Sequence, residues 1–335
     1  MNSIIINNFN ELIKQIKLDI DNNSDNSNNS DKKQKNLFRL KSIESALKII
    51  IAYPNKITSS KQLQNIKLIG KGTLRRIDEI LKTGKLSEVK ITEIDNKYLA
   101  ISEKLENIYG IGKKKSYELI KNHNITSINE LKSAISNKTI VLPKYILKGI
   151  EYYDKIDTNI PRNEIDYVNE YIKNLLNKID HHLLGVICGS YRRQKQVSGD
   201  VDLIIIHPKY KTDINKTSKI NMLEKIILEM KKQHFIICSL TSDNVLTKYM
   251  GLYQLKNKPV RRIDIRFIPY NSYYTALLYF TGSKDFNKML RLKAKNLGYI
   301  LNEYGLYKNG KAMNIKSEKD VFDILDISYM EPGSR

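Results

Sequence analysis

Two aspartates separated by one residue stand in Gly199-Asp200-Val201-Asp202, at the head of the apolar run Leu203 to Ile206. Residues two apart on a strand project to one face, so Asp200 and Asp202 form a carboxylate pair while Val201, Leu203 and Ile205 pack the opposite face. Such a pair is a hard-oxygen cradle for a divalent cation such as Mg²⁺. Upstream, residues 183–188 read as a short buried strand and Gly189-Ser190 as the turn opening a helix, where backbone N–H groups and a hydroxyl can hold phosphate. A third acid, Asp264, lies in Arg261-Arg262-Ile263-Asp264-Ile265-Arg266-Phe267. The alternation predicts a half-buried strand with Asp264 on its polar face. Taken singly these features are ordinary: an Asp-x-Asp is usually two exposed acids, and one Asp among arginines a salt-bridged strand residue. Together, on strand patterns beside Gly-Ser, they predict a site for nucleotidyl transfer.

Such a site needs a core to hold it. At 335 residues, 41% of them apolar, the chain exceeds one typical domain and has side chains enough for several cores. Lys and Arg number 57 against 36 Asp and Glu, a net charge of +21, and the pI is about 9.6. That excess is the footprint of a protein that neutralises phosphates, although a chain loaded with Lys, Asn and Ile is basic for compositional reasons alone. Cys188 and Cys238 form no CxxC and no Cys/His cluster, so neither structural zinc nor a disulfide framework is expected. No apolar run approaches the roughly 20 residues that span a bilayer. Met1 to Ile6 also lacks the basic start and long apolar core of a secretory signal, so an intracellular, non-secreted protein without a membrane partner is expected.

Along the chain, Ile5, Phe9, Leu12, Ile13, Ile16 and Ile20 predict an amphipathic helix over residues 4–20. Asp21 to Ser30 is almost wholly Asn, Asp and Ser, and Lys32-Lys33-Gln34-Lys35 follows, so residues 21–35 read as a disordered, solvated insertion before a second helix over 36–51. Gly70-Lys71-Gly72 leads into a helix over 73–81, and Gly110-Ile111-Gly112-Lys113 into another over 116–122. One Gly-x-Gly is an ordinary turn between helices. Two copies, each apolar before the first glycine and basic afterwards, predict a paired grip on phosphate through backbone N–H groups. After Ile160-Pro161-Arg162, the residues Ile165, Val168, Ile172, Leu175 and Ile179 step by three and four, a helix covering one sheet face. His181-His182 suggests a metal pair, but sequence neighbours diverge on a strand and do not share a helix face, so exposed linker histidines are expected. A helix over 222–232 and a strand over 235–238 follow; residues 273–280 are aromatic and apolar up to Thr281-Gly282, and 285–297 predict a strongly basic helix.

Several longer motifs recur in a familiar order: Gly189-Ser190-Tyr191-Arg192-Arg193 with Ser198-Gly199-Asp200-Val201-Asp202, then Arg261 to Arg266, Tyr279-Phe280-Thr281-Gly282-Ser283, Phe286-Asn287-Lys288, Asn302-Glu303-Tyr304 and Ser317-Glu318-Lys319-Asp320. In these the chain resembles the family X DNA polymerases of the DNA polymerase beta type, from about the first helix to Glu331-Pro332. The resemblance implies an α+β multidomain fold. Residues 1–95 would be a lyase-like helical DNA-binding domain with the first helix-hairpin-helix, and 96–158 a DNA-binding subdomain with the second. Residues 159–269 would form a catalytic palm, a mixed sheet flanked by helices, and 270–335 a small α/β nucleotide-selection subdomain. It implies gap filling in base excision repair: DNA-directed transfer of a nucleotide from a dNTP to a primer 3′-OH, with release of pyrophosphate. Two Mg²⁺ ions, for which Mn²⁺ can substitute, would be held by Asp200, Asp202 and Asp264, with Arg262 orienting Asp264. Ser190 and Arg193 would clamp the triphosphate, with Gly199 in the same motif and Lys148 adding charge. Tyr279 and Phe280 would gate the sugar beside Gly282, Asn287 would meet the base, and Arg262, Arg291 and Tyr304 the DNA.

For the amino-terminal region the resemblance implies DNA contacts by Arg39, Gly70, Lys71, Gly72, Arg75, Arg76, Gly110, Gly112 and Lys113, and K⁺ or Na⁺ at the hairpins. The family often carries a 5′-deoxyribose phosphate lyase whose lysine forms a Schiff base; Arg76 occupies that position, and a guanidinium stays protonated. Lyase activity is therefore expected only if Lys71, Lys82 or Lys85 takes the lysine's place. Expected partners are gapped or nicked duplex DNA, dNTPs, and repair proteins such as a DNA ligase or an abasic-site endonuclease, with the chain a monomer. No BRCT-like extension precedes the first helix, so recruitment through one is not expected. The alternative is a template-independent nucleotidyltransferase acting on RNA ends or small molecules. A non-catalytic DNA-binding scaffold is the third reading, against which the three intact aspartates stand.

Overall fold

Apolar residues every three or four positions make α1, Ser3–Asn22, amphipathic: Ile5, Phe9, Leu12, Ile16 and Ile20 are buried along one stripe. They share a core with Ile43, Ala46, Leu47 and Ile50 of α2, Ser30–Ala52. The protein is seen here as a computed structural model that describes residues 1–22, 30–211, 221–241 and 245–335. The insertion expected at 21–35 is shorter than its composition suggests. Residues 21 and 22 still belong to α1 and residues 30–35 already belong to α2. Asp31 in the first turn of α2 favours the positive end of the helix dipole, and the lysines and glutamine after it are good helix formers. The remainder of the insertion, 23–29, lies outside the described residues.

Two hairpins follow, in a register that differs from the Gly-x-Gly reading. A 3₁₀ turn, Ser60–Leu63, precedes α3, Lys71–Thr83; α4, Glu93–Glu106, precedes α5, Lys113–His123; and α6, Ile128–Ser136, comes after them. Gly70 and Gly112 are the extended residues that start α3 and α5, their carbonyls accepting from the Thr73 and Ser116 N–H groups at 2.9 Å. Ile69 and Ile111 before them are buried, and their N–H groups donate to the Ile66 and Ile108 carbonyls at 3.1 and 3.0 Å. One residue earlier the backbone is left-handed, with φ of 75° at Leu68 and 88° at Gly110. The repeat therefore aligns Leu68-Ile69-Gly70-Lys71 with Gly110-Ile111-Gly112-Lys113, and Gly72 lies inside α3. Leucine in the left-handed region is strained where glycine is not, so residue identity conceals the match.

The chain divides into two compact units, Met1–Leu142 and Pro143–Arg335. The division falls earlier than residue 158 because α7, Lys144–Tyr152, and the segment after it join the second unit. There the Lys148 ammonium donates to the Ser239 carbonyl at 3.4 Å and the Asp157 N–H to the Val260 carbonyl at 3.1 Å. The elements then run β1 (Ile160–Pro161), α8 (Arg162–Ile179), β2 (Leu184–Ile187), α9 (Gly189–Arg192), β3 (Val197–Ser198), β4 (Val201–Ile206) and α10 (Met222–Lys232). After these come β5 (Ile236–Ser239), β6 (Lys248–Tyr253), β7 (Arg261–Phe267), α11 (Tyr273–Thr281), α12 (Lys284–Asn296), β8 (Tyr299–Asn302), β9 (Gly305–Lys308), β10 (Lys311–Ala312) and α13 (Glu318–Ile324).

Among the described residues five strands form the central sheet in the order β2-β4-β7-β6-β5, antiparallel throughout except for the parallel pair β4 and β7. One face packs Val201, Leu203, Ile205, Ile263, Ile265 and Phe267 against α8 and α10. On the other, Ile204 and Ile206 meet Ala276 and Leu277 of α11. Strand β2 is at the edge and Leu184 is exposed, so it is not the buried strand its apolar letters suggest. A separate core of Phe286, Leu290, Leu301, Leu306, Val321 and Phe322 joins α12, α13 and the three-stranded sheet β10-β9-β8. No helix among the described residues is long and apolar enough to cross a membrane.

Strand β7 alternates as its sequence predicts, yet Arg261 falls on the apolar face and is 3% exposed. Its guanidinium donates to both oxygens of Glu164, itself 4% exposed, at 2.9 and 3.0 Å, and to the Asp157 carbonyl at 2.9 Å. Removing one partner of a buried pair strands the other charge, which costs about 3–5 kcal/mol. Glu164→Ala is therefore expected to lower the unfolding free energy of the second unit by that order in denaturant titration, while Glu164→Leu combined with Arg261→Met recovers most of it. Equal loss in the single and the double variant would count against the pair as the cause.

Candidate active site

Parallel pairing sets Asp202 of β4 directly opposite Asp264 of β7. Asp200 immediately precedes β4, and one carboxylate oxygen from each of the three lies within 4.8 Å of the others. Burial raises the Asp202 carboxyl from its ordinary 3.8 to about 6, with repulsion from Asp264 adding to it and Arg193 and Arg266 opposing. Asp264 is also raised, chiefly by burial and against the pull of Arg262, Arg266 and Lys248. One oxygen of Asp264 is buried without a hydrogen-bond partner. Three mutually repelling carboxylates with an unsatisfied oxygen fit a hard divalent cation, which needs anionic oxygen donors. Arg262, expected to orient Asp264, instead donates to Asp200, and its Nε stands 3.7 Å from Asp264. The reason is the register: Val201 pairs with Ile263, so Arg262 and Asp200, each one residue earlier on parallel strands, stand across from each other on the same face as Asp264.

A cleft of about 420 Å³ opens over this cluster. Ser190, Arg193, Asp200, Asp202, Tyr279, Phe280, Gly282, Asn287 and Arg291 line it, so most of the residues the sequence singled out meet in one place. Gly189 makes the approach possible. Its φ is +53°, and a Cβ there would run into the Asp202 carboxylate. The helix after it is a single turn, α9, and Arg193 caps its end rather than its start, donating to the Thr281 carbonyl at 2.5 Å while its Nε is buried without a partner. Gly282, with φ of +71°, lies where a Cβ would come within 3.2 Å of that guanidinium. Tyr279 and Phe280 meet edge to face at 5.2 Å, Asn287 donates to the Tyr279 carbonyl at 2.7 Å, and Arg266 lies over the Phe280 ring at 5.7 Å.

Other residues fall elsewhere. Lys148 is held at the Ser239 carbonyl on β5, the sheet edge opposite β2, and cannot add charge beside Ser190. Helical spacing gave no hint of this, because the contact is set by α7 packing near β5. Gly199 does not line the cleft, and Tyr304 is exposed on the β8–β9 turn. In the first unit, Gly70, Gly112, Lys71 and Lys113 sit at the starts of α3 and α5, Gly110 two residues before Gly112, and Gly72 and Arg75 within α3. Arg39 and Arg76 are not free for phosphate: both donate to Glu88, Arg39 at 2.6 Å.

Sequence reasoning missed Lys284 and Lys288, which also line the cleft; their i, i+4 spacing on α12 was the available signal. It also missed Arg192, which donates to Thr281 Oγ1 at 2.7 Å and to Glu318 at 2.6 Å, and Arg335, whose buried guanidinium reaches the same carboxylate at 2.7 Å. The contacts of Arg192 join residues 89 and 126 positions apart and that of Arg335 reaches back 17, separations that no local pattern announces.

The family models described as DNA polymerase beta palm and DNA polymerase beta thumb match residues 159–270 and 276–335, and that described as helix-hairpin-helix domain matches 26–86. The chain belongs to the DNA polymerase beta-like family X. Among family X relatives it is 30% identical to the DNA polymerase lambda of Arabidopsis thaliana over 87% of this chain and 56% of the relative, and 28% identical to that of Rattus norvegicus over 87% and 51%. It is 26% identical to the DNA nucleotidylexotransferase of Gallus gallus over 90% of this chain and 64% of that protein. This family X chain thus spans between about half and two thirds of the length of these relatives.

Two outcomes follow from the site. Gly189→Ala, by pushing Asp202 aside, is expected to weaken Mg²⁺ binding about tenfold or more in calorimetric titration, an effect of the size seen when ligand-supporting groups are lost; unchanged affinity would refute the steric role of Gly189. The raised Asp202 means that the folded, metal-free chain keeps a proton the unfolded chain releases near 3.8, so this stabilisation is complete below that pH and lost as pH rises to about 6. Between about pH 4 and 6, metal-free stability is expected to carry a declining contribution that Asp202→Asn removes, and Mg²⁺ affinity to climb up to about tenfold per pH unit. A flat Mg²⁺ affinity across that window would show that Asp202 is already ionised at its start.

Proposed function

We propose that the chain is a DNA-directed DNA polymerase that fills short gaps in base excision repair, adding a nucleotide from a dNTP to a primer 3′-OH and releasing pyrophosphate. The observation that carries this reading is the Asp200, Asp202 and Asp264 cluster beneath a cleft lined by Ser190 and Arg193. The relatives named DNA polymerase lambda support it. Two divalent ions on these carboxylates, Mg²⁺ or Mn²⁺, supply Lewis-acid neutralisation of the triphosphate and make the primer hydroxyl more acidic.

The chain's own groups do the positioning. The Ser190 hydroxyl and the Arg193 guanidinium, with its unpartnered Nε, bind terminal phosphate oxygens. Arg262 donates to Asp200, so cation binding by all three carboxylates requires that contact to open. Tyr279 and Phe280 face the sugar, with Asn287 fixing the Tyr279 backbone; Lys284, Lys288 and Arg291 add positive charge along the same wall. Gapped DNA is gripped without regard to sequence at the starts of α3 and α5, with Lys71, Arg75 and Lys113 adding charge. We infer no lyase chemistry: Arg76 is paired with Glu88, and Lys71, Lys82 and Lys85 are all exposed on the surface. The relative named DNA nucleotidylexotransferase supports a second reading, addition to DNA ends without a template.

One substrate tests these readings: a gapped duplex whose downstream strand begins with a 5′-deoxyribose phosphate, incubated with dNTPs and Mg²⁺, with borohydride trapping in parallel and a single-stranded primer as control. Templated primer growth without a trapped adduct is expected. A trapped adduct overturns the inference against lyase chemistry, growth on the single strand alone moves the assignment to the second reading, and no growth on either sinks both. Asp264→Ala is expected to lower extension by about a thousandfold or more while gapped-DNA affinity stays within about twofold.

A further inference from the structure

His181 and His182 do not diverge as a strand or helix would require, because the residues after α8 form a turn. Their rings stack with centroids 3.8 Å apart, and ligand atoms of Asp180, His181 and His182 all lie within 4.8 Å of one another. Asp180 is held from behind. The Lys209 N–H donates to Nδ1 of the buried His207 at 3.1 Å, which leaves the His207 proton on Nε2, where it donates to Asp180 Oδ2 at 3.1 Å. The His182 N–H donates to Oδ1 at 3.0 Å.

From this geometry we propose that Asp180, His181 and His182 form a binding site for a divalent transition metal of borderline softness, Zn²⁺ above all. Asp180 Oδ1 and His182 Nδ1 stand 3.1 Å apart. Two ligands on a tetrahedral zinc with bonds of about 2.0–2.1 Å are separated by roughly 3.3 Å, so this pair needs almost no movement. His182 is about half exposed and its Nδ1–H donates to Oδ1, so a bound ion takes the place of that hydrogen between the two atoms. His181 is exposed too and closes the remaining distance by rotation about its side-chain bonds. Imidazole nitrogen with one carboxylate selects Zn²⁺ and its neighbours over Mg²⁺, in contrast to the all-oxygen cluster of the cleft. The buried His207 plays the part that a hydrogen-bonded second group plays behind most metal ligands, fixing the carboxylate before the ion arrives.

The site is separate from the cleft. His207 follows β4, whereas Asp200 precedes it, and six strand residues lie between. At about 3.3 Å per residue that is roughly 20 Å. Bound there, the ion clips the end of α8 to the start of β2 and, through His207, to the end of β4.

The test uses the full chain and Zn²⁺ alone, measuring affinity by competition with a chromophoric chelator and following the imidazole signals of the five histidines by NMR. Binding of Zn²⁺ that shifts two exposed histidines, raises the thermal midpoint, and weakens about tenfold or more in His181→Asn and in His182→Asn is expected, with Asp200→Asn leaving this binding intact. Because both histidines are exposed, these variants should fold as the parent does and retain primer extension in Mg²⁺. The proposal is overturned if no Zn²⁺ binds at 100-fold excess over the protein, or if binding survives both histidine substitutions and disappears only with Asp200→Asn. Loss of affinity in Asp180→Asn without change in the thermal midpoint of the metal-free chain adds support; a midpoint that rises equally with Zn²⁺ in parent and His182→Asn overturns the clip.

Discussion

The second unit is built around one strand pairing, the parallel ladder of β4 and β7, which sets Asp202 and Asp264 side by side. Placing two carboxylates at neighbouring positions on a covered sheet face opposes folding, since burial raises the proton affinity of both and Asp264 raises that of Asp202 further. The opposite face of the same strands compensates. Val201, Leu203 and Ile205 and their partners Ile263, Ile265 and Phe267 are all buried against α8 and α10. The strand period of two thus lets one ladder be strongly apolar below and strongly acidic above. A slip of one residue between β4 and β7 would exchange the faces, so the core holds the acids in register.

Much of this was legible in the residues. The Asp-x-Asp pair, the alternation of β7 and the three-and-four spacing of α8 each rest on local periodicity, and each formed where expected. What was hidden depends on partners distant in sequence or on backbone state. Arg261 breaks its strand's polarity pattern because Glu164 waits on a helix 97 residues away. Lys148 reads as one more basic residue until α7 is seen beside β5. The first hairpin disguised its match to the second because the repeat is carried by a left-handed backbone position, filled by Leu68 in one copy and Gly110 in the other. The low-complexity stretch concealed the first turns of α2, where composition argued for a solvated chain but the lysine-rich end continues into a helix.

The charge of the chain is also divided in a way composition cannot show. Glutamates immobilise arginines in pairs or triads: Glu88 holds Arg39 and Arg76, Glu164 holds Arg261, and Glu318 holds Arg192 and Arg335. The planar guanidinium suits such bidentate, partly buried pairing. The lysines near the hairpins, Lys71 and Lys113 among them, remain exposed. A division of labour results, in which arginine chiefly stabilises and lysine chiefly supplies the long-range field, and a point charge on a flexible stem attracts phosphate without demanding a fixed geometry.

Gly189 and Asp202 are a different kind of partnership. The glycine has no side chain to hydrogen-bond or titrate, yet that missing side chain is the space the acid occupies. In an evolving lineage the two positions therefore constitute a single heritable unit. Any side chain at 189 must displace the acid, and a bulkier acid at 202 must displace the turn. Drift at one cannot be tolerated before the other has changed, and neither has a useful intermediate, so this small void is a ratchet that keeps descendants of the chain on the same chemistry.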